Sequence, residues 1–372
     1  MKKILTITCH NVYNHGATLQ QYALIENLKT WEYDVKSINY KPAYLSKRFK
    51  LWNIPEKYKS NVFLKVAYLG LKLPSRILDL KRKKNFDAFE SQYLAVLPKL
   101  YETNKDLKND LPDADVYICG SDQIWNSFFE NGKDPAFYLN FAPDDKLKIA
   151  YAASFAIDEL EEKVKPLVKK NVERLQAVSV RETSGLTILK DLGISNAVQV
   201  LDPVFLINED VWKDKFVFPL DEKFIFVYDC DSNEQIKQIA QVAASENNFK
   251  IFTVDKNIKY ADKNFFNEAP HFFLSLIYHS QFVLTNSFHA LSFSIIFNKP
   301  HYVFNRTEKI NTRMRDLMKL AGISELLLMK GEFRRINDVA IDFAKVNEKI
   351  SNEVAKSKTF LRNALENKSN VT

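Results

Sequence analysis

The chain has 372 residues, of which 46% are hydrophobic and 13% aromatic. This length predicts two domains, and the apolar content excludes an intrinsically disordered chain. Only eight glycines are present, which argues against a glycine-rich phosphate loop. The net charge of +7 is concentrated in residues 47–84, which contain twelve Lys or Arg and two acids. A general polyanion-binding surface is therefore excluded.

The cysteines and the hydropathy pattern predict a soluble, cytoplasmic protein. Cys9, Cys119 and Cys230 form no CxxC pair and lie in or beside apolar runs, as buried free thiols do in a reducing compartment. The opening apolar run is too short for a secretory core, and no stretch reaches the roughly 18 apolar residues of a membrane-spanning helix. The six histidines show no metal-binding spacing, so we expect no metal site.

The order of apolar runs predicts an α/β fold. Residues 4–8 are predicted as a strand, residues 16–29 as a helix and residues 35–40 as a second strand, which together make a βαβ unit with a parallel sheet. A charged helix is predicted near 158–175, and further strands are predicted at 116–119, 149–154, 177–181, 198–201, 224–228, 250–254 and 282–285. Apolar residues that recur from Ile336 to Leu365 predict one long amphipathic helix.

These elements predict two Rossmann-like domains with a cleft between them. We place the first domain at residues 1–205, with the basic segment 47–84 inside it, and the second at residues 206–335. Residues 336–372 are expected to form a C-terminal helix that packs back on the body. Because ligands of open α/β sheets bind beyond the carboxyl ends of the strands, residues that follow strands are the candidates for function.

Two loops of the first domain have a composition that is typical of sugar binding. Asn14 and Gly16 stand where the first strand leads into a helix, and the small residue allows a ligand to approach the helix N-terminus. The loop after strand 116–119 contains Asp122, Gln123 and Trp125. There the carboxylate and the amide would bind hydroxyl groups, and the indole ring would stack on the sugar. An aspartate N-cap followed by a core tryptophan is the structural alternative.

Charged and polar side chains also follow two later strands. Arg181 ends an apolar strand, and a structural ion pair with Glu182 or Asp202 is the alternative to ligand binding. Ser287 is the predicted N-cap of a helix whose first turn carries His289. We expect this helix end to attract anions and His289 to face the cleft.

Two arginines farther along the chain divide between two roles. Arg313 and Arg315 are two residues apart and cannot share one face of a helix. One of them is therefore expected to bind a ligand, while the other pairs with Asp316.

Six segments, taken in chain order, resemble the polysaccharide pyruvyl transferase family. They span roughly residues 1–320, and their order is more specific than any single segment. The segments are Asn14-His15-Gly16-Ala17-Thr18-Leu19-Gln20, Gly120-Ser121-Asp122-Gln123-Ile124-Trp125-Asn126, Ser179-Val180-Arg181-Glu182, Leu201-Asp202-Pro203, Ser287-Phe288-His289, and Thr312-Arg313-Met314 with Asp316-Leu317. The chain departs from the family at Asn286, where an acid is usual, and at Ala290, where a glycine is usual.

The resemblance implies a GT-B-like pair of Rossmann-type domains, with phosphoenolpyruvate as co-substrate and no metal or other cofactor. The implied reaction moves pyruvate onto two hydroxyls of a sugar as a cyclic ketal, during synthesis of a surface or capsular polysaccharide. The implied donor contacts fall on Arg181, His289 and Arg313, together with Ser287 and Met314. Of these, His289 is the candidate for proton transfer.

The acceptor side is assigned from the chemistry of the loops. Asp122 is the candidate for activating the acceptor hydroxyl. The candidate acceptor contacts are Asn14, Gly16, Gln123 and Trp125, and the acceptor is a sugar, free or lipid-linked.

Two other functions stay open at this point. A GT-B-type nucleotide-sugar glycosyltransferase would need a glutamate after His289, and the sequence offers no clear one. A non-catalytic sugar-binding member of the family would explain the departures at Asn286 and Ala290. For residues 47–84, the alternatives are a peripheral contact with anionic lipid at the inner face of the membrane and a solvated helical arm. We expect no nucleic-acid partner.

Overall fold

The computed structural model describes residues 1–9, 11–45, 49, 52, 54–55, 58, 60–307 and 310–367. The chain folds into two units, each built on a parallel sheet with helices packed around it. Seven strands form the first sheet in the order β3-β2-β1-β4-β5-β6-β7, and six form the second in the order β10-β9-β8-β11-β12-β13. The predicted α/β class is therefore confirmed.

The first unit contains seven strands and five helices. The strands are β1 (Lys3–Ile7), β2 (Asp34–Tyr40), β3 (Val96–Tyr101), β4 (Val116–Cys119), β5 (Leu147–Ala153), β6 (Ala177–Val180) and β7 (Val198–Gln199). The helices are α1 (His15–Lys29), α2 (Val62–Tyr93), α3 (Asn104–Asn109), α4 (Lys165–Val172) and α5 (Thr183–Asp191), and α6 (Glu209–Phe216) leads to the second unit.

The second unit repeats the alternation of strands and helices. Its strands are β8 (Phe224–Tyr228), β9 (Lys250–Thr253), β10 (Lys263–Asn264), β11 (Phe282–Thr285), β12 (His301–Phe304) and β13 (Leu327–Leu328). Its helices are α7 (Glu234–Asn247), α8 (Pro270–His279), α9 (Phe288–Ile296) and α10 (Thr312–Ala321), and α11 (Phe343–Leu365) ends the described chain.

Every strand that the sequence predicted is present, but four were missed. Strand β3 contains Pro98, which cannot donate to a neighbouring strand, and it lies accordingly at the edge of its sheet. Strand β12 is a buried four-residue run, and β10 and β13 have two residues each. Runs this short leave little pattern to detect.

Two predicted helices are shorter than expected. The helix predicted near 158–175 covers only Lys165–Val172. The C-terminal helix begins at Phe343 instead of Ile336, because the Asp342 side chain accepts a hydrogen bond from the Lys345 backbone N–H and caps the helix there. Residues Ile336–Asp338 form a separate 3-10 turn.

Apolar packing joins the two units. One continuous cluster of buried side chains contains residues of both sheets, and at its centre the rings of Tyr22 and Trp212 lie 5.5 Å apart. Helix α11 adds contacts with the first unit, since the Leu201 N–H donates to Ser357 Oγ over 2.9 Å and Lys2 Nζ donates to the Leu365 carbonyl over 3.0 Å. The two sheets are thereby held in a fixed relation around the space between them.

Helix α2 occupies much of the basic segment. Residues 47, 48, 50, 51, 53, 56, 57 and 59 of that segment lie outside the described residues. The second half of α2 contacts both units, since Arg82 Nε donates to the Tyr13 carbonyl over 2.9 Å and Asp79 pairs with Lys256 at 3.4 Å. Within the described residues, no helix has both the length and the apolar content needed to cross a bilayer.

Candidate active site

A cavity of about 100 Å³ lies where the carboxyl ends of the two sheets face each other. The first unit contributes the start of α1 and the loop after β4, and the second contributes the loops after β8, β11 and β12 and the start of α10. The lining residues are Asn14, Asp122, Gln123, Tyr228, Cys230, Asn286, Ser287, Phe288, His289, Arg306, Ile310, Arg313 and Met314.

Arg181 forms a buried ion-pair network beside this cavity. Its Nη1 donates to Asp202, and its Nη2 donates to Asp122 Oδ1 over 3.2 Å. Burial alone would lower the pKa of Arg181, but the charges of Asp202 and Asp122 raise it above its ordinary value. The structural pairing with Asp202 that the sequence offered as an alternative is therefore present.

Glu182, the other partner considered for Arg181, has a different function. Its Oε1 accepts hydrogen bonds from the backbone N–H groups of Phe155 and Ala156 and from the Ser154 hydroxyl, over 2.8 to 3.1 Å. Glu182 therefore fixes the loop that follows β5.

Asp202 is the buried carboxylate at the base of the site. It receives Arg181 on Oδ2, its Oδ1 accepts from the Val204 N–H over 3.1 Å, and its Oδ2 lies 3.6 Å from Nε2 of His289. Burial alone would raise the pKa of Asp202, but the Arg181 charge and the contact with His289 lower it to about 2. The carboxylate is ionised throughout the physiological range.

His289 reaches the cavity because a glycine of the first unit makes room for it. A Cβ at position 16 would lie 2.0 Å from His289 Nδ1, so no larger residue fits beside the imidazole. His289 stands in the first turn of α9, as predicted, and its buried Nε2 faces Asp202 Oδ2 at 3.6 Å, with no closer hydrogen-bond partner among the described residues.

Arg313 and Arg181 lie on one aromatic ring. The guanidinium carbons are 4.9 Å (Arg181) and 5.2 Å (Arg313) from the centre of the Phe288 ring. Arg313 lies 3.6 Å from Asp122 Oδ1, and its Nε has no hydrogen-bond partner within the described part of the chain. Burial and the Arg181 charge lower the pKa of Arg313 to about 10, so it remains a cation at neutral pH.

Asp122 lies between the two arginines at the wall of the cavity. Burial alone would raise its pKa, but Arg181, His289 and Arg313 outweigh that effect and lower it below the ordinary value. Asp122 also adopts a positive φ of 73°, in the left-handed region, where the loop turns after β4. An ionised carboxylate is thus held where a ligand would meet both cations.

The predicted acceptor residues divide into two groups. Asn14, which caps α1 by accepting from the Ala17 N–H, and Gln123 both line the cavity. The prediction of an accessible Trp125 is wrong, because its side chain is fully buried, lies parallel to the ring of Tyr138 at 5.3 Å and donates its indole N–H to the Phe137 carbonyl. A buried ring in the core cannot stack on a sugar.

Gly16 is also not a surface that a sugar could contact. It is buried, and the space beside its Cα is filled by the imidazole of His289. The prediction of Gly16 as an acceptor contact is therefore wrong, and its small size instead leaves space for His289.

Of the predicted donor residues, Ser287 and Met314 line the cavity beside His289 and Arg313. The predicted pairing of the second arginine with Asp316 is wrong. Arg315 lies 3.5 Å from Asp158, whereas Asp316 accepts hydrogen bonds from the backbone N–H and the hydroxyl of Thr183. Asp316 thereby links α10 of the second unit to α5 of the first.

The departure at Asn286 has a local explanation. Its side-chain amide donates to Asp229 Oδ1 over 2.8 Å, and its Oδ1 accepts from the Cys230 N–H over 2.8 Å. An acid at position 286 would place two carboxylates against each other, so the amide suits this neighbour. Ala290 is fully buried in the core, in the first turns of α9.

Three features of the site were missed by the sequence analysis. Phe288 lies beneath both arginines, and Tyr228 and Arg306 line the cavity from the ends of β8 and β12. Phe288 could have been found from the sequence, because it directly follows the predicted N-cap Ser287. Arg306 could not, because β12, the strand before it, was not predicted. Among the described residues, no group of three or more His, Cys, Asp or Glu side chains could hold a metal ion.

A second cavity, of about 480 Å³, lies between α5 and α10. It is lined by Asp158, Thr183, Ser184, Thr312, Arg315, Asp316, Met318, Lys319, Ser324 and Leu327, and it contains none of the predicted site residues.

Structural comparison shows the fold of the chain. A protein of Listeria monocytogenes that is described as a UDP-N-acetylglucosamine 2-epimerase has a TM-score of 0.52 at 9% identity, over 99% of this chain and 97% of its own. The UDP-N-acetylglucosamine 2-epimerase of Rickettsia bellii has a TM-score of 0.49 at 13% identity, over 98% of this chain and 96% of its own. The two units are thus arranged as in GT-B proteins, which confirms the predicted fold.

Sequence comparison identifies the family. No curated protein sequence matches the chain. The family model described as polysaccharide pyruvyl transferase matches residues 14–308, a span that includes every residue lining the smaller cavity except Ile310, Arg313 and Met314. Since this match covers well over half of the chain, the protein belongs to the polysaccharide pyruvyl transferase family.

Proposed function

We propose that this protein transfers the pyruvyl group of phosphoenolpyruvate onto two hydroxyls of a sugar, forming a cyclic ketal in the synthesis of a surface or capsular polysaccharide. Family membership supports a transferase that acts on polysaccharide. The observation that carries the finer proposal is the pairing of two buried guanidinium groups, those of Arg181 and Arg313, on the ring of Phe288 beside a small cavity.

The charge of the site suits this donor. Phosphoenolpyruvate carries about three negative charges at neutral pH, two on the phosphate and one on the carboxylate. Planar guanidinium groups match phosphate and carboxylate oxygens with paired hydrogen bonds. Arg313 and Arg181 each have a buried Nε without a hydrogen-bond partner among the described residues. An anion in the cavity would supply the hydrogen-bond acceptor that Arg313 lacks.

The reaction needs two protons to be removed from the acceptor hydroxyls and two to be delivered, one to the donor's methylene carbon and one to the departing phosphate. Protonation of the donor's methylene carbon makes a methyl group, while a sugar hydroxyl adds to the central carbon and loses its proton. A second hydroxyl then displaces phosphate from the same carbon, with loss of its own proton, giving the ketal and inorganic phosphate. We assign proton delivery to His289 and hydroxyl activation to Asp122, which both line the cavity.

The size of the cavity favours this donor over a nucleotide sugar. Its volume of about 100 Å³ suits a small anion, whereas sites for larger ligands usually enclose roughly 300–1,000 Å³. A nucleotide-sugar glycosyltransferase of the same architecture remains the second candidate, because structural neighbours of this chain include a protein described as acting on a UDP-sugar. Binding of UDP with no binding of phosphoenolpyruvate would favour that candidate.

The decisive experiment measures phosphate release from phosphoenolpyruvate with a panel of galactose- and mannosamine-type acceptors, free and lipid-linked. Mass spectrometry of the product should show the added pyruvate ketal. Binding of phosphoenolpyruvate without release on any acceptor would favour a non-catalytic, sugar-binding member of the family. We propose no metal or other cofactor, since Arg181 and Arg313 can supply the positive charge, so activity should survive dialysis against EDTA.

The proposed role of Asp122 has its own test. Asp122→Asn keeps the shape of the side chain but removes the base, so the turnover number should fall about a hundredfold. Donor affinity should be retained or rise, because the carboxylate that competes for Arg313 at 3.6 Å is neutralised. An unchanged turnover number would remove Asp122 from the mechanism.

The proposed membrane contact of residues 47–84 is independent of this chemistry, because none of those that the structure describes lines the cavity.

A further inference from the structure

The first half of α2 exposes large apolar side chains. Phe63 is 88% exposed, Val66 63% and Ile77 54%. These residues, with Gly70 between them, are spaced by three, four and seven positions, which places them on one side of the helix. We call this side the α2 apolar face, and it comprises Phe63, Val66 and Ile77, while Val62, Leu71 and Leu78 are also exposed but project from other sides of the helix.

Among the described residues, the buried side chains of this helix all belong to its second half. The buried residues of α2 are Arg76, Asp79, Arg82, Phe86 and Phe89, and none precedes position 76. At a rise of about 1.5 Å per residue, the segment from 62 to 75 therefore extends roughly 20 Å beyond its first buried side chain. Contiguous exposed apolar surface of this kind marks an interaction site in a folded protein.

The charge around this face has a single sign. Residues 62–84 contain seven Lys or Arg and one acid, Asp79. Lys65 and Lys72 are exposed and lie one heptad apart on the side of the helix opposite Phe63, whereas Lys84 continues the line of Ile77 by a further heptad. An apolar face with a cationic face opposite it is the pattern of helices that lie in the interface of an anionic membrane.

We propose that the α2 apolar face docks on an anionic lipid surface, with the helix lying in the plane of the headgroups. Phe63 and Ile77 would enter the boundary between headgroups and acyl chains, and Lys84, in line with them, would meet lipid phosphates. Lys65 and Lys72, on the opposite side, would add to the attraction between the helix and the anionic surface. Charge complementarity selects this occupant, because two copies of the chain that paired through this face would bring two cationic helices together, whereas an anionic bilayer neutralises them.

The test uses the full chain and vesicle flotation. Phosphatidylglycerol-containing vesicles should bind the protein, with affinity that falls as salt is raised, and pure phosphatidylcholine vesicles should bind it weakly. Phe63→Ser with Ile77→Ser should weaken binding by about tenfold or more. The control is Val211→Ser with Phe333→Ser, two exposed apolar residues (47% and 51%) outside α2, which should leave binding unchanged.

A second pair of variants tests the charge. Lys65→Glu with Lys72→Glu should lower affinity for anionic vesicles about tenfold or more, while Lys190→Glu with Lys330→Glu, exposed lysines elsewhere on the surface, should have little effect. Phosphate release on a water-soluble acceptor should be unchanged in all these variants, so failure of the proposed function would not affect this result. Absence of anionic-vesicle binding, or a dimer in light scattering that Phe63→Ser with Ile77→Ser dissociates, would overturn the proposal.

Discussion

The two units contribute to the cavity in different ways. The first unit supplies Arg181, whose two terminal nitrogens are both bonded to carboxylates, those of Asp202 and Asp122. The second supplies Arg313, which lies 3.6 Å from Asp122, and His289, whose Nε2 lies 3.6 Å from Asp202. The comparison indicates that the first unit's arginine is held in place within its own unit by two carboxylates, whereas the second unit's Arg313 and His289 reach across to those same carboxylates at longer distances.

The largest expected effect is on stability, from Arg181→Ala. The change leaves Asp202 buried and without its cation, so the free energy of unfolding should fall by about 3–5 kcal/mol, as measured by urea denaturation. The control is Arg315→Ala, whose half-exposed pair with Asp158 should contribute about 1 kcal/mol or less. A loss no larger than that of the control would contradict a structural role for Arg181.

Arg313→Met should separate binding from folding. Asp122 keeps its hydrogen bond to Arg181 in this variant, so the free energy of unfolding should fall much less than in Arg181→Ala. The affinity for phosphoenolpyruvate, measured by calorimetry, should fall about a hundredfold, or about 3 kcal/mol. Loss of stability together with affinity would show that both arginines are structural.

The pairing of Asp202 predicts a dependence of stability on acid pH. The pKa of Asp202 is lowered to about 2 in the folded state, and a lowered carboxyl pKa stabilises the fold above the unfolded value of about 3.9. This contribution, about 2 kcal/mol, should be lost as the pH falls from about 4 to about 2. Urea denaturation across this range, compared with Asp202→Asn, measures it. If the free energy of unfolding changed equally with pH in both proteins, the acid sensitivity would come from groups other than Asp202.

Gly16→Ala tests the space that His289 occupies. The new methyl group would meet His289 Nδ1 at 2.0 Å and His289 Cβ at 2.7 Å, so the imidazole and its backbone must shift, at a cost of about 1–3 kcal/mol. The turnover number should fall more than donor affinity, because His289 is the proposed proton donor. Gly70→Ala is the matched control, since its added Cβ meets nothing within 4 Å and helix α2 favours alanine there. Full turnover in Gly16→Ala would argue against proton transfer by His289.

The chemical identity of the site residues was readable from the sequence, but their accessibility was not. Trp125 follows a polar quartet at a strand end, as a sugar-binding ring would, yet the residues that bury it, Phe137 and Tyr138, come a dozen positions later. Gly16 shows the same limit. Its small size was noticed, but the neighbour that requires it is His289, far away in the chain.

Local periodicity was sufficient where the apolar pattern is regular, whereas the longest described helix, α2, was not predicted as an element. Periodicity predicted α1 and the buried central strands β1, β4 and β8, because their pattern lies within one short window. It failed for β3, where Pro98 interrupts an edge strand, and for the two-residue strands of the second sheet, which exist only because a neighbour pairs with them.

The sequence by itself determined the α/β class, the family resemblance and the residues Arg181, His289 and Arg313, because motifs and periodicity are local properties of a chain. Only the tertiary structure decided which of them carry free hydrogen-bonding groups and which are already paired. That distinction depends on contacts between residues far apart in sequence, such as Arg181 with Asp122 and Asp202. Burial, which sets the energy of each charge, arises only when the two sheets come together.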